Sequence, residues 1–92
     1  MDEIKKFNSI IIITKQRNAR KYFTFVKGLP SDLNYQNLIS ELKKKLFCNG
    51  AIIEDKEFGK VVQFNGSHKE EIKEYLIKND IASEDQIKLR GI

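Results

Sequence analysis

Ile10-Ile11-Ile12-Ile13-Thr14-Lys15 and Tyr22-Phe23-Thr24-Phe25-Val26-Lys27 are β-branched and aromatic runs, separated by Gln16-Arg17-Asn18-Ala19-Arg20-Lys21. Such residues suit a pleated, half-buried surface, and the polar segment between them predicts a β-hairpin with strands over 9–15 and 22–27 and a basic loop. Alternation places Tyr22, Thr24 and Val26 on one face of the second strand and Phe23 and Phe25 on the other. Working outward, Gly28-Leu29-Pro30-Ser31 breaks the sheet, and Asn34 is the expected N-cap of a helix running to about Phe47. Tyr35, Leu38, Ile39, Leu42 and Leu46 form one apolar stripe at helical spacing. At about 100° per residue Lys44 points away from that stripe, with Lys43 and Lys45 beside it.

Asn49-Gly50 is expected to supply the left-handed residue that ends this helix, with Cys48 a small hydrophobe in its final turn rather than a nucleophile. Ala51–Ile53 and Lys60–Asn65 read as short strands joined by the acidic segment Glu54-Asp55-Lys56-Glu57-Phe58-Gly59. Ser67-His68-Lys69-Glu70 has the spacing of a capping box and opens a second helix carrying Ile72, Tyr75 and Leu76. That helix is expected to end near Asp80, and Gln86–Arg90 to form a closing strand. The order ββαββαβ predicts an α+β two-layer sandwich, with two helices on one face of a mixed, largely antiparallel sheet of about five strands. The last strand follows a helix and is the candidate for a parallel pairing. Residues 1–9 are expected to be a short N-terminal tail, and 10–92 a single domain.

A chain of 92 residues buries only about 60–65% of the surface its unfolded form exposes, which favours a binding surface over an enclosed catalytic cavity. The lone Cys48 has no partner for an internal disulfide, and a small domain without disulfides fits a reducing, cytoplasmic setting. The longest apolar run, Ile10–Ile13, is far short of the roughly 20 residues a bilayer span needs, so no membrane partner is expected. One His and one Cys cannot assemble a four-ligand zinc site, and no glycine pattern forms a phosphate loop or dinucleotide fingerprint. His68 reads as a half-buried packing or capping residue, and the acid pairs Glu70-Glu71 and Glu84-Asp85 as solvated surface. The reading is of a protein that is not an enzyme and uses no cofactor and no metal.

Net charge is +4, yet residues 1–46 carry +6 and residues 47–92 carry −2. Ile4 to Ser31 has no acidic side chain but includes Lys5, Lys6, Lys15, Arg17, Arg20, Lys21 and Lys27, a distribution that attracts polyanions through counterion release. Two patches stand out. The first joins the hairpin tip, Arg17, Asn18, Arg20 and Lys21, to Lys43, Lys44 and Lys45 on the first helix. Arginine forks can grip phosphates or stack on bases, and helix lysines give point charges along an RNA backbone. The second is the acidic tip Glu54, Asp55, Lys56 and Glu57, which repels RNA or meets a basic partner. Lysines that only solvate the domain, and an ordinary solvated loop, are the competing readings.

Four segments, Gln16-Arg17-Asn18-Ala19-Arg20-Lys21, Lys43-Lys44-Lys45-Leu46-Phe47-Cys48-Asn49-Gly50, Gly59-Lys60-Val61-Val62-Gln63-Phe64-Asn65-Gly66 and Asp85-Gln86-Ile87-Lys88-Leu89-Arg90-Gly91, together resemble the eukaryotic translation initiation factor 1 family from about Ile10 onward. The resemblance implies a monomeric factor that binds ribosomal RNA of the small subunit near the P site, with initiator tRNA and mRNA close by and other initiation factors as further partners. It implies that Arg17, Asn18, Arg20, Lys21 and Lys43–Lys45 meet rRNA. It also implies that the second loop, Glu54–Gly59, opposes full accommodation of initiator tRNA, so that scanning continues until the start codon is recognised. Three departures stand out: Ala19 where the family has Gly, expected to strain a left-handed turn by about 1 kcal/mol; Lys56 where Pro is frequent; and a short tail, which weakens the case for contacts with other factors. A reinitiation or recycling factor of the density-regulated protein type, and a protein-interaction module using the uncovered sheet face and the acidic loop, are the alternatives.

Overall fold

Ile10, Ile12 and Thr14 are buried while Ile11 and Ile13 are half-buried, the signature of a strand with one face against a core. The computed structural model describes residues 9–30, 33–57 and 59–91; the expected tail apart from Ser9, including Lys5 and Lys6, lies outside the described residues, as do Ser31 and Phe58. Strand β1 (Ile10–Asn18) pairs antiparallel with β2 (Lys21–Lys27). The first strand runs three residues beyond the expected Lys15, because Gln16 and Asn18 still pair with Tyr22 and Lys21. The added residues are exposed and polar, so no hydrophobic alternation announced them.

Helix α1 (Tyr35–Leu46) begins as expected, with Asn34 Oδ1 accepting from the Asn37 N–H at 3.1 Å. Its end differs from expectation. Phe47, not Asn49-Gly50, takes the left-handed conformation, at φ 53°, and its N–H donates to the Lys43 carbonyl. Left-handed backbone disfavours a residue with a Cβ by roughly 1–2 kcal/mol, and Phe47 is 92% exposed, so packing does not offset this. Gly50 opens strand β3 (Gly50–Asp55) instead, and a Cβ there would lie 2.7 Å from the Phe64 ring. The glycine is needed for close packing rather than for a helix stop. Cys48 follows the helix rather than ending it, half-buried against the core.

Strand β4 (Gly59–Asn65) pairs antiparallel with both β3 and β2. Helix α2 (Lys69–Lys78) has His68 at its N-cap, and the expected Ser67–Glu70 box does not form. A distant contact displaces it: the His68 N–H donates to Thr24 Oγ1 at 3.0 Å, and the ring Nε2 lies 3.0 Å from the Asn65 carbonyl. A capping box forms later, between Ser83 and Gln86, around a single 3-10 turn at Glu84–Gln86. Gln86 therefore precedes β5 (Ile87–Gly91), which pairs parallel with β1.

The sheet order is β3-β4-β2-β1-β5, mixed and otherwise antiparallel, and both helices pack on one face. Ile12, Val26, Val62 and Phe64 from the sheet meet Leu38 and Leu42 of α1 and Ile72 and Leu76 of α2, each at most 2% exposed. Burying such side chains stabilises by about 1.5–3 kcal/mol each. Tyr75 joins the helices by donating from its hydroxyl to Glu41 Oε1. The expected α+β two-layer sandwich is the one observed.

Candidate nucleic-acid interface

Strand directions decide which charged features share an end of the molecule. β1 runs toward the first turn, β2 runs away from it, β4 returns toward it and β3 runs away again. The turn between β1 and β2 and the turn between β3 and β4 therefore lie at opposite ends of the sheet. Helix α1 leaves the end of β2 and delivers the chain to the start of β3, so its C-terminal lysines lie at the end that carries the first turn. Two backbone bonds tie that end together: Asn65 N–H to the Asn49 carbonyl at 3.0 Å, and Gly66 N–H to the Tyr22 carbonyl at 2.8 Å.

The first turn is tighter than the six-residue loop expected. Only Ala19 and Arg20 intervene between the paired Asn18 and Lys21. Asn18 Oδ1 accepts from the N–H groups of Arg20 and Lys21, both at 3.0 Å, and this side-chain clasp holds the chain reversal. Among the described residues only Phe47 and Asp80 are non-glycine residues with positive φ, so Ala19 does not carry the left-handed strain expected of it. Asn18 is thereby given a structural task in addition to its proposed contact role.

Arg17 is also placed differently. The register shifts between Gln16 and Asn18, leaving Arg17 as a bulged strand residue rather than a residue of the hairpin tip. Its guanidinium lies 5.7 Å from the centroid of the Phe23 ring, and Lys15 lies 5.8 Å from that of Phe25. The two rings meet edge to face at 6.4 Å. Arg17 thus lies along the open sheet face, whereas Arg20 and Lys21 stay at the turn, lining a shallow concavity of about 270 Å³ with Tyr22, Phe23, Asn65 and Gly66.

Lys43, Lys44 and Lys45 are all exposed in the last turn of α1, where cations complement the negative end of the helix dipole. Lys43 and Lys44 line a second concavity, of about 350 Å³, with Phe47, Cys48 and Asn49. Burial pushes the Cys48 thiol above its ordinary range, and the Lys43 ammonium offsets only part of this, so the thiol is protonated at neutral pH. Lys69, whose Nζ donates to the Arg90 carbonyl at 3.2 Å, adds positive charge at this end, while Glu70 and Glu71 in the first turn of α2 are acids on the same side. Phe47 was not anticipated as a surface group. The available signal was an apolar residue one position past Leu46, the last of the helix stripe, and so about 100° off that residue, two positions after three lysines.

The acidic segment stands at the far end. Glu54 and Asp55 belong to β3 rather than to a loop, Asp55 pairs with Gly59, and Lys56 and Glu57 form the turn. Gly59, which closes this turn by pairing with Asp55, has φ +81°, a conformation glycine adopts without the Cβ penalty. Asp55 is half-buried, while Glu54 and Glu57 are exposed. Lys60, opposite Glu54, rests over the Tyr35 ring at 5.5 Å. Among the described residues no group of His, Cys, Asp and Glu could hold a metal ion, and no helix is long and apolar enough to cross a membrane.

Residues 6–82 match the family described as translation initiation factor SUI1. The chain is 40% identical over 82 residues to eukaryotic translation initiation factor 1 of Mus musculus, covering 89% of this chain and 73% of that protein. It is 41% identical over 77 residues to a protein translation factor SUI1 homolog of Spuriopimpinella brachycarpa, covering 84% and 68%. In three dimensions it is similar to the crystal structure of the C-terminal domain of human eIF2D, with a TM-score of 0.76 over 87% of this chain and 41% of that one. At 18% identity that likeness is one of fold. The fold, the arrangement of charge and these relationships agree: the chain belongs to the SUI1 family of translation initiation factors, which are not enzymes.

Proposed function

We propose that the protein binds small-subunit ribosomal RNA near the P site through the end formed by Arg20, Lys21, Lys43, Lys44 and Lys45, with Arg17 contributing from the open sheet face. In this reading it acts in the cytoplasm as a monomer, with mRNA and initiator tRNA close by and other initiation factors as further partners. The observation that carries the reading is the segregation of charge: basic turn and lysine helix end share one end, and the acidic turn stands at the other. Phosphates are gripped at the first end, so the carboxylates of Glu54, Asp55 and Glu57 face away from the bound RNA. A tRNA backbone moving into full accommodation meets those carboxylates, and the repulsion arises only in the accommodated state. An interaction that differs between two states shifts their populations, which makes the acidic turn a gate on start-codon selection.

Affinity for purified small subunits should fall steeply with salt, with a slope of roughly 0.7–0.9 log units per neutralised phosphate. Replacing Lys43, Lys44 and Lys45 with Ala should flatten that slope by up to about two to three units. An unchanged slope would remove this helix face from the interface. For the gate, Glu54→Arg with Glu57→Arg should raise initiation at near-cognate codons relative to AUG in a reporter assay, while binding to tRNA-free subunits stays close to that of the parent. Stricter selection would contradict it.

A further inference from the structure

Phe47 places a large aromatic ring where the isolated domain has no use for one, on a backbone that caps α1 and that a smaller residue would serve as well. Its ring is 92% exposed, and its backbone is left-handed, a conformation glycine or asparagine adopts more readily at a helix end. The conformation has a spatial effect: by leaving the helix at Phe47, the chain carries the ring off the end of α1 while its N–H still closes the helix on the Lys43 carbonyl. The ring shares a concavity of about 350 Å³ with Lys43, Lys44, Cys48 and Asn49. Lys45 completes a set of three consecutive exposed lysines, separated from Phe47 by Leu46 alone. The nearest preceding acid in the helix, Glu41, accepts a hydrogen bond from Tyr75 in the cleft between α1 and α2.

We propose that Phe47 is a base-stacking residue, its exposed face taking an unpaired nucleobase of an RNA strand whose phosphates are held by Lys43, Lys44 and Lys45. Single-stranded nucleic acid is bound in this way, by a positively charged track with an aromatic ring beside it, because every base has a π face and every linkage a phosphate. The charge decides against an apolar protein partner as first choice: an aromatic anchor in a protein interface sits among desolvated neighbours, whereas this ring is edged by ammonium groups that favour a polyanion. The inference rests on the reading of the α1 lysines as an RNA-binding face, and it adds a contact independent of charge.

The test is binding of the full chain to purified small subunits across a salt series, with Phe47→Ala, Phe47→Leu, Phe47→Tyr and the triple Lys43→Ala, Lys44→Ala, Lys45→Ala variant in parallel. Thermal melts followed by circular dichroism verify that each is folded, which the ring's exposure leads one to expect. Phe47→Ala should weaken binding by about 5- to 150-fold, the range measured for loss of one stacked base, and leave the salt slope unchanged. Phe47→Tyr should bind like the parent, and Phe47→Leu, apolar but without a π face, should behave like Ala. Parent-like affinity of Phe47→Ala overturns the inference. So does full retention by Phe47→Leu, which would indicate an apolar contact with a protein. If the triple lysine variant keeps the parent slope, the RNA reading of this face fails. If it flattens the slope while Phe47→Ala binds normally, only the stacking inference fails.

Discussion

Thr14 and Thr24 sit opposite each other on β1 and β2, both on the core face and at most 1% exposed, yet their hydroxyls have opposite circumstances. Thr24 Oγ1 donates to the Gly66 carbonyl at 2.6 Å and accepts from the His68 N–H at 3.0 Å. Thr14 Oγ1 is buried with no hydrogen-bond partner among the described residues. Replacing each with Val keeps the branched shape and deletes only the hydroxyl. A buried polar group left unpaired destabilises by about 1–3 kcal/mol, so Thr14→Val should stabilise the domain by roughly 1–2 kcal/mol, the hydroxyl's desolvation being relieved. Thr24→Val should destabilise by about 1–3 kcal/mol, because it strands the Gly66 carbonyl and the His68 N–H. For a domain of this size 1 kcal/mol moves Tm by roughly 4–8 °C, so the variants should melt on opposite sides of the parent. Urea titrations with equal m-values would show that the native state, not the unfolded one, is affected. A Thr14→Val variant less stable than the parent would refute the reasoning, as would a Thr24→Val variant that loses nothing.

Phe47→Gly should raise stability by roughly 0.5–1 kcal/mol in the same assays, since relief of left-handed strain exceeds the added freedom of the unfolded glycine. The Tyr75 hydroxyl, pushed up to about 12 by burial and by its bond to Glu41, should make stability fall as pH rises from about 10 through 12. The sign follows from the folded state holding that proton more tightly than the unfolded chain; Tyr75→Phe should remove this share of the alkaline loss, seen in melts across pH 9–12. Cys48 should alkylate with iodoacetamide more slowly than a free thiol at the same pH, and Lys43→Ala should slow it further by withdrawing the charge that favours thiolate. An accelerated reaction in that variant, measured by mass spectrometry, would contradict the assignment.

Alternation along 22–27 and the stripe from Tyr35 to Leu46 were legible because each pattern reports one face against one core. What escaped the sequence was carried by contacts distant along the chain. Ser67 has the spacing of a cap, but Thr24, 44 residues from His68, takes the amide that decides where α2 begins. Gly50 looks like a helix stop until the Phe64 ring across the strand pair claims the space its side chain would need. The basic and acidic patches were both visible as charge, and Lys43–Lys45 lie where periodicity put them. Their separation to opposite ends depends on the strand order β3-β4-β2-β1-β5, which hydrophobic patterning does not encode. Arg17 left the tip because the bulge that redirects it arises from pairing register rather than from composition.

Separating the two turns by the length of the sheet gives the molecule an electric dipole along its strands. β1 alone is nine residues long, about 30 Å at roughly 3.3 Å per residue. The Debye length at physiological salt is about 8 Å, so the two poles are electrically independent at equilibrium. Glu54, Asp55 and Glu57 can carry their charge without weakening the grip of the opposite pole. During approach to a polyanion the dipole acts as a torque: the basic pole is drawn in and the acidic pole turned outward before any side chain touches RNA. Orientation is thereby selected in the encounter, and fewer collisions begin with the wrong end forward.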